Sequence, residues 1–168
     1  MPTVTIYLVR HASAGVRNDA DPHDDDRPLD TDGLLQAVQL ADWLRHEPVR
    51  RIVTSPYLRC RQTVGPLAEA LGLTVDVDDL LGEGTRVDDS WGLLADVAGA
   101  PGADGSAGDA VVLCSHGDVI PDLVRRAQGR GMLVPGKSGC AKGSAWILQH
   151  WDGEAFATGV YTPVRPPA

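Results

Sequence analysis

The chain has 168 residues, enough for one domain with a sizeable core. Apolar residues make up 43% of it, and no apolar run approaches the roughly 18 needed to cross a bilayer, so no membrane partner is expected. The formal net charge of −8 argues against a nucleic-acid binder, which must neutralise many phosphates at once.

Residues 4–9, VTIYLV, predict a first strand that runs straight into Arg10 and His11 and then into small residues. No cationic stretch followed by an apolar one stands at the N-terminus, so no secretion leader is expected. The segment 18–30, NDADPHDDDRPLD, is acidic and reads as a surface loop. Asp30 or Thr31 then caps a helix running to about Glu47, with Leu34, Val38, Ala41 and Leu44 on one face. Residues 50–55, RRIVTS, predict a short buried strand. Ser55-Pro56 reads as an N-cap followed by proline at the first helical position, opening a helix to about Leu71 that is disturbed at Gly65-Pro66 and stopped at Gly72.

Residues 73–77 predict a third strand and 88–99 a helix capped by Asp88 or Asp89. Residues 99–108, GAPGADGSAG, predict a flexible loop. AVVLCS, 110–115, is continuously apolar, as expected of a strand covered on both faces. A helix from about Asp118 to Gln128 follows, and two β-rich runs flanking Asp152-Gly153 predict a closing hairpin. Strands alternate with helices as far as residue 130. The expected fold is therefore a single α/β domain over residues 1–168. It is a three-layer α/β/α sandwich with a mostly parallel central sheet and an antiparallel edge. Cys60, Cys114 and Cys140 are odd in number and far apart in sequence, which predicts reduced thiols and a cytoplasmic protein.

In such sheets ligands bind beyond the carboxyl ends of the strands. Arg10 and His11 lie past the first strand, Ser55 and Arg59 past the second, and His116 and Gly117 past AVVLCS. Glu83 sits between two glycines in a turn. Arginine grips phosphate bidentately and keeps its charge. A neutral imidazole can attack phosphorus and form a covalent intermediate. A second histidine, if protonated, can stabilise the phosphoryl oxygens. Each residue also has a plainer reading: His11 as a core histidine, His116 as a helix cap, Arg59 and Glu83 as solvated side chains. Arg17 and Arg27 either reach the substrate from the first loop or are solvated beside the aspartates. His23, His46 and His150 carry no pattern.

Four blocks carry a resemblance. LVRHASAG (8–15), RPLDTDGLLQA (27–37), TSPYLRCRQT (54–63) and SHGDVI (115–120) resemble, in order, blocks of the histidine phosphatase superfamily, which has the phosphoglycerate mutase-like fold. The likeness is strongest to the short branch containing phosphohistidine phosphatases, and the chain is also similar to the phosphatase domain found behind Nudix domains. The resemblance implies a metal-independent phosphatase with no cofactor. His11 would be the phosphoryl acceptor, and Arg10, Arg59 and His116 the phosphate pocket; Gly117, next to His116, and Arg17, in the first loop, are substrate-binding candidates from their positions in the chain. Glu83 would be the proton donor. The substrate would be a phosphohistidine protein or a phosphorylated small molecule. Two departures stand out: Ala12 replaces the usual glycine after Arg-His, and the surroundings of Glu83 match only loosely.

The alternatives are a nucleotide phosphatase or pyrophosphohydrolase and, from another class, a non-catalytic domain that binds phosphorylated ligands. The second would have no need of a nucleophile at His11. GMLVPGKS (131–138) formally fits a nucleotide phosphate loop, but a glycine-interrupted, β-rich stretch follows it where a helix should begin. It reads as a chance match. The run DADPHDDD lacks the glycine and terminal glutamate of a calcium loop, and no CxxC pair suggests zinc. The oligomeric state has no signal in the sequence.

Overall fold

The computed structural model describes residues 3–100 and 109–164. The glycine-rich loop expected over 99–108 lies, from 101 onward, outside the described residues.

Six strands form one sheet: β1 (Thr5–Arg10), β2 (Val49–Thr54), β3 (Val75–Val77), β4 (Ala110–Ser115), β5 (Ala145–Trp151) and β6 (Phe156–Thr162). Their order is β3-β2-β4-β1-β5-β6. The first four run parallel, and β5 and β6 add antiparallel to β1. Four helices cover the sheet: α1 (Thr31–Leu44), α2 (Leu58–Leu71), α3 (Val87–Gly99) and α4 (Val119–Gly129). This is the α/β/α arrangement read from the sequence, built on a mixed sheet.

The pleat sorts each central strand between two cores. Ile6 and Leu8 of β1, with Val111 and Leu113 of β4, pack against Leu94 of α3 and Ile120 and Leu123 of α4. Tyr7, Val9, Val112 and Cys114 face the other way, onto Leu40 and Leu44 of α1 and Val64 and Leu67 of α2. Burial on both faces is why AVVLCS has no polar alternation.

The register positions the site. Arg10 pairs with Ser115 and Thr54 with Cys114, so β1, β2 and β4 end level at one edge. Beyond those ends, His11 N–H donates to Ser115 O at 3.0 Å and Ser55 N–H to Cys114 O at 3.0 Å.

Several local expectations are corrected. α1 ends at Leu44, and it buries Gly33, Ala37, Leu40, Ala41 and Leu44, whereas Leu34 and Val38 are about half exposed. The buried stripe is rotated because the helix leans on residues 13–15 through its smallest side chains. A Cβ on Gly33 would lie 1.9 Å from Ser13 O. α2 begins at Leu58 after Tyr57, not at Ser55-Pro56; the Ser55 hydroxyl accepts from Tyr57 N–H at 3.3 Å and lies 2.8 Å from His116 Nε2. Pro66 stands inside α2 without ending it: Val64 and Leu67 beside it are fully buried and hold the helix on the sheet. Gly72 closes that helix at φ 67°, in the left-handed region.

Arg86, not an aspartate, precedes α3. Asp88 and Asp89 instead occupy its first turn, where the helix dipole favours negative charge. Within the acidic loop, Asp24–Asp26 form a short 3-10 turn that sequence reading did not foresee. Leu133 makes a lone bridge to Thr158, and among the described residues no helix follows Ser138, so GMLVPGKS lacks the helix N-terminus a phosphate loop requires.

Candidate active site

At the shared edge of β1, β2 and β4 opens a cavity of about 420 Å³. Arg10, His11, Arg17, Glu83 and Gly117 line it, and Arg27, Asp118 and Lys142 complete its charged wall. Arg59 and His116 stand behind this surface, 0% and 1% exposed. All seven site residues named from the sequence therefore converge on one place.

His11 is held by its neighbour. Its Nδ1 donates to the Ala12 carbonyl at 2.8 Å, which leaves the Nε2 lone pair free. Burial is the main cause that lowers its pKa from 6.5 to about 4. The Ala12 bond opposes that shift, and the charges of Arg59, Arg10 and Arg27 reinforce it. Ala12 N–H donates to Thr63 Oγ1 at 2.9 Å, and that hydroxyl donates to Arg59 O at 2.7 Å. The first turn of α2 and the residue after His11 are thus locked together.

His116 is fixed from the opposite side. Ser55 Oγ accepts from Tyr57 N–H at 3.3 Å and lies 2.8 Å from His116 Nε2, to which it donates in the tautomer that leaves Nε2 unprotonated. The remaining proton of a neutral ring is then on Nδ1, an atom that is buried and has no protein partner. Burial, then the neighbouring His11 and the arginines, lower the pKa of His116 to about 3. The sequence allowed for a protonated His116; with these neighbours it is neutral, and its Nδ1–H is a ready donor.

The arginines differ in their anchors. Arg10 Nη1 donates to Cys140 O at 2.6 Å. A Cβ on Gly117 would come within 2.7 Å of the Arg10 guanidinium carbon, so only glycine leaves room for this close approach. Arg59 donates to Asp24 O at 2.8 Å and Asp24 Oδ2 at 3.2 Å, and its Nη2 lies 3.5 Å from Glu83 Oε2. Arg17 pairs with Glu83. Glu83 is therefore held between two guanidinium groups, on a turn fastened by Gly84 N–H donating to Asp118 Oδ2 at 2.8 Å.

Sequence reading missed Ser55 as the partner of His116, and it missed Asp24, Asp118 and Lys142. Ser55 lay inside a recognised block but was read as a cap. Asp118 adjoins Gly117. Asp24 stands three residues before Arg27, a spacing that allows the two to pair but does not single it out from its acidic neighbours. Lys142 gave no signal.

Among the described residues, no group of three or more His, Cys, Asp or Glu side chains could hold a metal ion. Chemically, the arrangement offers an uncharged imidazole nitrogen beside several cationic hydrogen-bond donors suited to an anion. The model of the histidine phosphatase superfamily, branch 1, matches residues 6–88. The chain belongs to the histidine phosphatase superfamily.

Within this superfamily, the chain is 33% identical over 164 residues to an 8-oxo-(d)GTP phosphatase of Mycolicibacterium smegmatis, which covers 96% of this chain and 49% of that protein. It is 34% identical over 70 residues to the phosphohistidine phosphatase SixA of Escherichia coli, which covers 40% of this chain and 42% of that one. The matches thus span about half the length of these curated relatives, or less. Among solved structures, the tungstate complex of the histidine phosphatase SixA superposes with a TM-score of 0.70 at 21% identity, covering 95% and 94% of the two chains. A mycobacterial glucosyl-3-phosphoglycerate phosphatase complexed with VO3 gives 0.69 at 22%, covering 94% and 97%. These two likenesses concern the fold. No helix among the described residues is long and apolar enough to cross a membrane.

Proposed function

We propose that this chain is a metal-independent phosphatase that acts through a phosphohistidine formed on His11. The observation that carries the reading is the Nδ1–H bond from His11 to Ala12 O, which turns an unprotonated Nε2 toward a pocket of guanidinium groups.

The phosphoryl group docks against Arg10, Arg17 and Arg59 and accepts the His116 Nδ1–H. The Nε2 lone pair attacks phosphorus in line. The P–O bond breaks with its electron pair on the leaving oxygen, which takes a proton from Glu83. The Glu83 carboxylate then removes a proton from water, whose oxygen attacks phosphorus. The P–N bond breaks, its pair returns to Nε2, and inorganic phosphate leaves. The proton stays on Nδ1, donated to Ala12 O throughout, and that bond stabilises the charge on the phosphorylated ring. Positioning and charge neutralisation supply most of the acceleration, as is general for phosphoryl transfer.

The substrate we propose is a phosphohistidine protein or a small phosphate ester; the likeness to SixA favours the first. A nucleotide substrate is the second reading, favoured by the match to the 8-oxo-(d)GTP phosphatase along nearly the whole chain. We also propose a cytoplasmic location, a reading supported by three free cysteines.

Rapid quench with labelled substrate tests the mechanism. We expect an acid-labile, alkali-stable phosphoenzyme with the label on His11. We also expect His11→Ala to lose turnover while still binding vanadate. Label on any other residue, or substantial turnover by His11→Ala, overturns it. A panel of phosphohistidine peptide, nucleotides and sugar phosphates compared by kcat/KM separates the substrates.

A further inference from the structure

Asp24 is the hub of the arginine cluster. Its Oδ1 accepts from Arg27 Nε at 3.0 Å. Its Oδ2 accepts from Arg59 Nη2 at 3.2 Å and lies 3.7 Å from Arg17 Nη2. Its main-chain oxygen accepts from Arg59 Nη1 at 2.8 Å. One residue of the acidic loop therefore meets the guanidinium groups of three arginines that come from two separate parts of the chain. The cations reciprocate by lowering the pKa of Asp24 against the opposing effect of burial.

The contacts have a charge consequence. Four cations and two carboxylates line the cavity, and the Arg59–Asp24 pair adds one of each. With both histidines neutral and Glu83 ionised between Arg17 and Arg59, so that the proton it later donates enters with the substrate, five cations face three carboxylates, a net of two positive charges. That matches one phosphomonoester group, which carries −1.5 to −2 near neutral pH. Without Asp24 the balance becomes three, which suits a more highly charged anion. An arginine of this cluster can be oriented by a neutral carbonyl, as half-buried Arg10 is by Cys140 O, so a carboxylate at Asp24 does more than hold Arg59.

We infer that Asp24 is a positioning and specificity residue: it orders Arg17, Arg27 and Arg59 around the incoming group and trims the pocket's charge to that of a single phosphoryl group, against di- and triphosphate chains. The inference rests on the proposed phosphatase reading and deepens it by naming the phosphate class. It also gives the acidic 18–26 segment a role that solvation alone would not.

The test is calorimetric binding of orthophosphate and pyrophosphate to the full chain, wild type and Asp24→Asn, with thermal unfolding to verify folding. The removal of one negative charge near the anion should favour pyrophosphate over orthophosphate by about tenfold relative to wild type. Asp24→Glu, which restores the charge, should return the ratio toward the wild-type value. Asp24→Ser carries the same expectation as Asp24→Asn and serves if that variant does not fold. A ratio within about twofold of wild type in the neutral variants overturns the inference, as does a ratio that Asp24→Glu fails to restore. A purely structural Asp24 would weaken both anions alike. Because binding needs no turnover, these results are independent of whether a phosphoenzyme forms, so failure of the phosphatase mechanism and failure of this inference are read separately.

Discussion

The rings of His11 and His116 stand 5.3 Å apart between centroids, inclined at 62°, so that each lies in the other's field. Two imidazoles this close, buried and faced by guanidinium groups, resist protonation. Their pKa values, about 4 and about 3, lie well below the ordinary 6.5. Titration of the imidazole protons by NMR should find both rings neutral at pH 7 and still mostly neutral at pH 5. Midpoints near 6.5 would refute this. Stability follows with a definite sign. The unfolded chain takes up these protons first as pH falls below about 6.5, so the stability present above that pH is lost on the way down and levels off near 3 to 4. Denaturant unfolding between pH 4 and 7 should show that slope, and His11→Gln or His116→Gln should flatten it.

Gly117→Ala should separate activity from stability. The added Cβ meets the far end of the Arg10 side chain at 2.7–2.9 Å, and a flexible guanidinium can move aside. We expect Tm to stay within a few degrees of wild type while kcat/KM falls at least tenfold, because Arg10 leaves its place on the phosphoryl group. Retention of full kcat/KM would show that Arg10 does not contact the substrate there.

The Glu83 carboxylate lies between Arg17 and Arg59, on the wall of the cavity that His11 also lines. General acid assistance is typically worth about 10²–10⁴-fold. An alkoxide leaving group needs a proton; a nitrophenolate, or an imidazole protonated on its other nitrogen, needs it far less. Glu83→Gln should therefore depress hydrolysis of alkyl phosphates strongly and of nitrophenyl phosphate or phosphohistidine only slightly. Equal losses would reduce Glu83 to shaping the pocket, and no loss would remove it from the mechanism.

The sequence exposed what is local and periodic. β4 was legible because both its faces are buried, and the placement of Arg10, His11, Arg59 and His116 followed from strand ends that the register then brought level. Long-range demands were hidden. Leu34 and Val38 looked like core at helical spacing, yet the need of Gly33 to approach Ser13 O turned them outward. Ser55 looked like a cap because a serine before proline usually is one; its hydroxyl does accept from Tyr57 N–H, but it also fixes a ring 61 residues away. Asp24 was one acidic residue among several, and only folding reveals which of them meets Arg59.

Metal removal is the next test. Two to three arginines can neutralise the phosphoryl charge without a cation, so turnover should persist in excess EDTA. Loss of activity restored by magnesium would revive the GMLVPGKS alternative. In that case Lys137→Ala would abolish turnover; we expect it to be nearly silent.

Gly33→Ala and Gly92→Ala should act with opposite signs. Both positions are helical, and alanine is intrinsically better than glycine in a helix by up to about 1 kcal/mol. Around Gly92 nothing lies within 4 Å of an added Cβ, so that variant should gain stability. At Gly33 the Cβ would fall 1.9 Å from Ser13 O, a backbone atom tied down by Asp30 N–H at 3.1 Å. Asp30 also caps α1 through Gly33 N–H at 2.7 Å and accepts from the Ser13 hydroxyl at 2.7 Å, so the loop leaving His11 cannot yield without loosening the cap. Overpacking of this kind typically costs about 1–3 kcal/mol, which outweighs the helix gain. A fall in Tm of several degrees is expected for a chain of this size, together with a lower kcat/KM, since residues 13–15 continue directly from the nucleophile. A rise in Tm for Gly33→Ala, matching Gly92→Ala, would show that α1 does not bear on that loop.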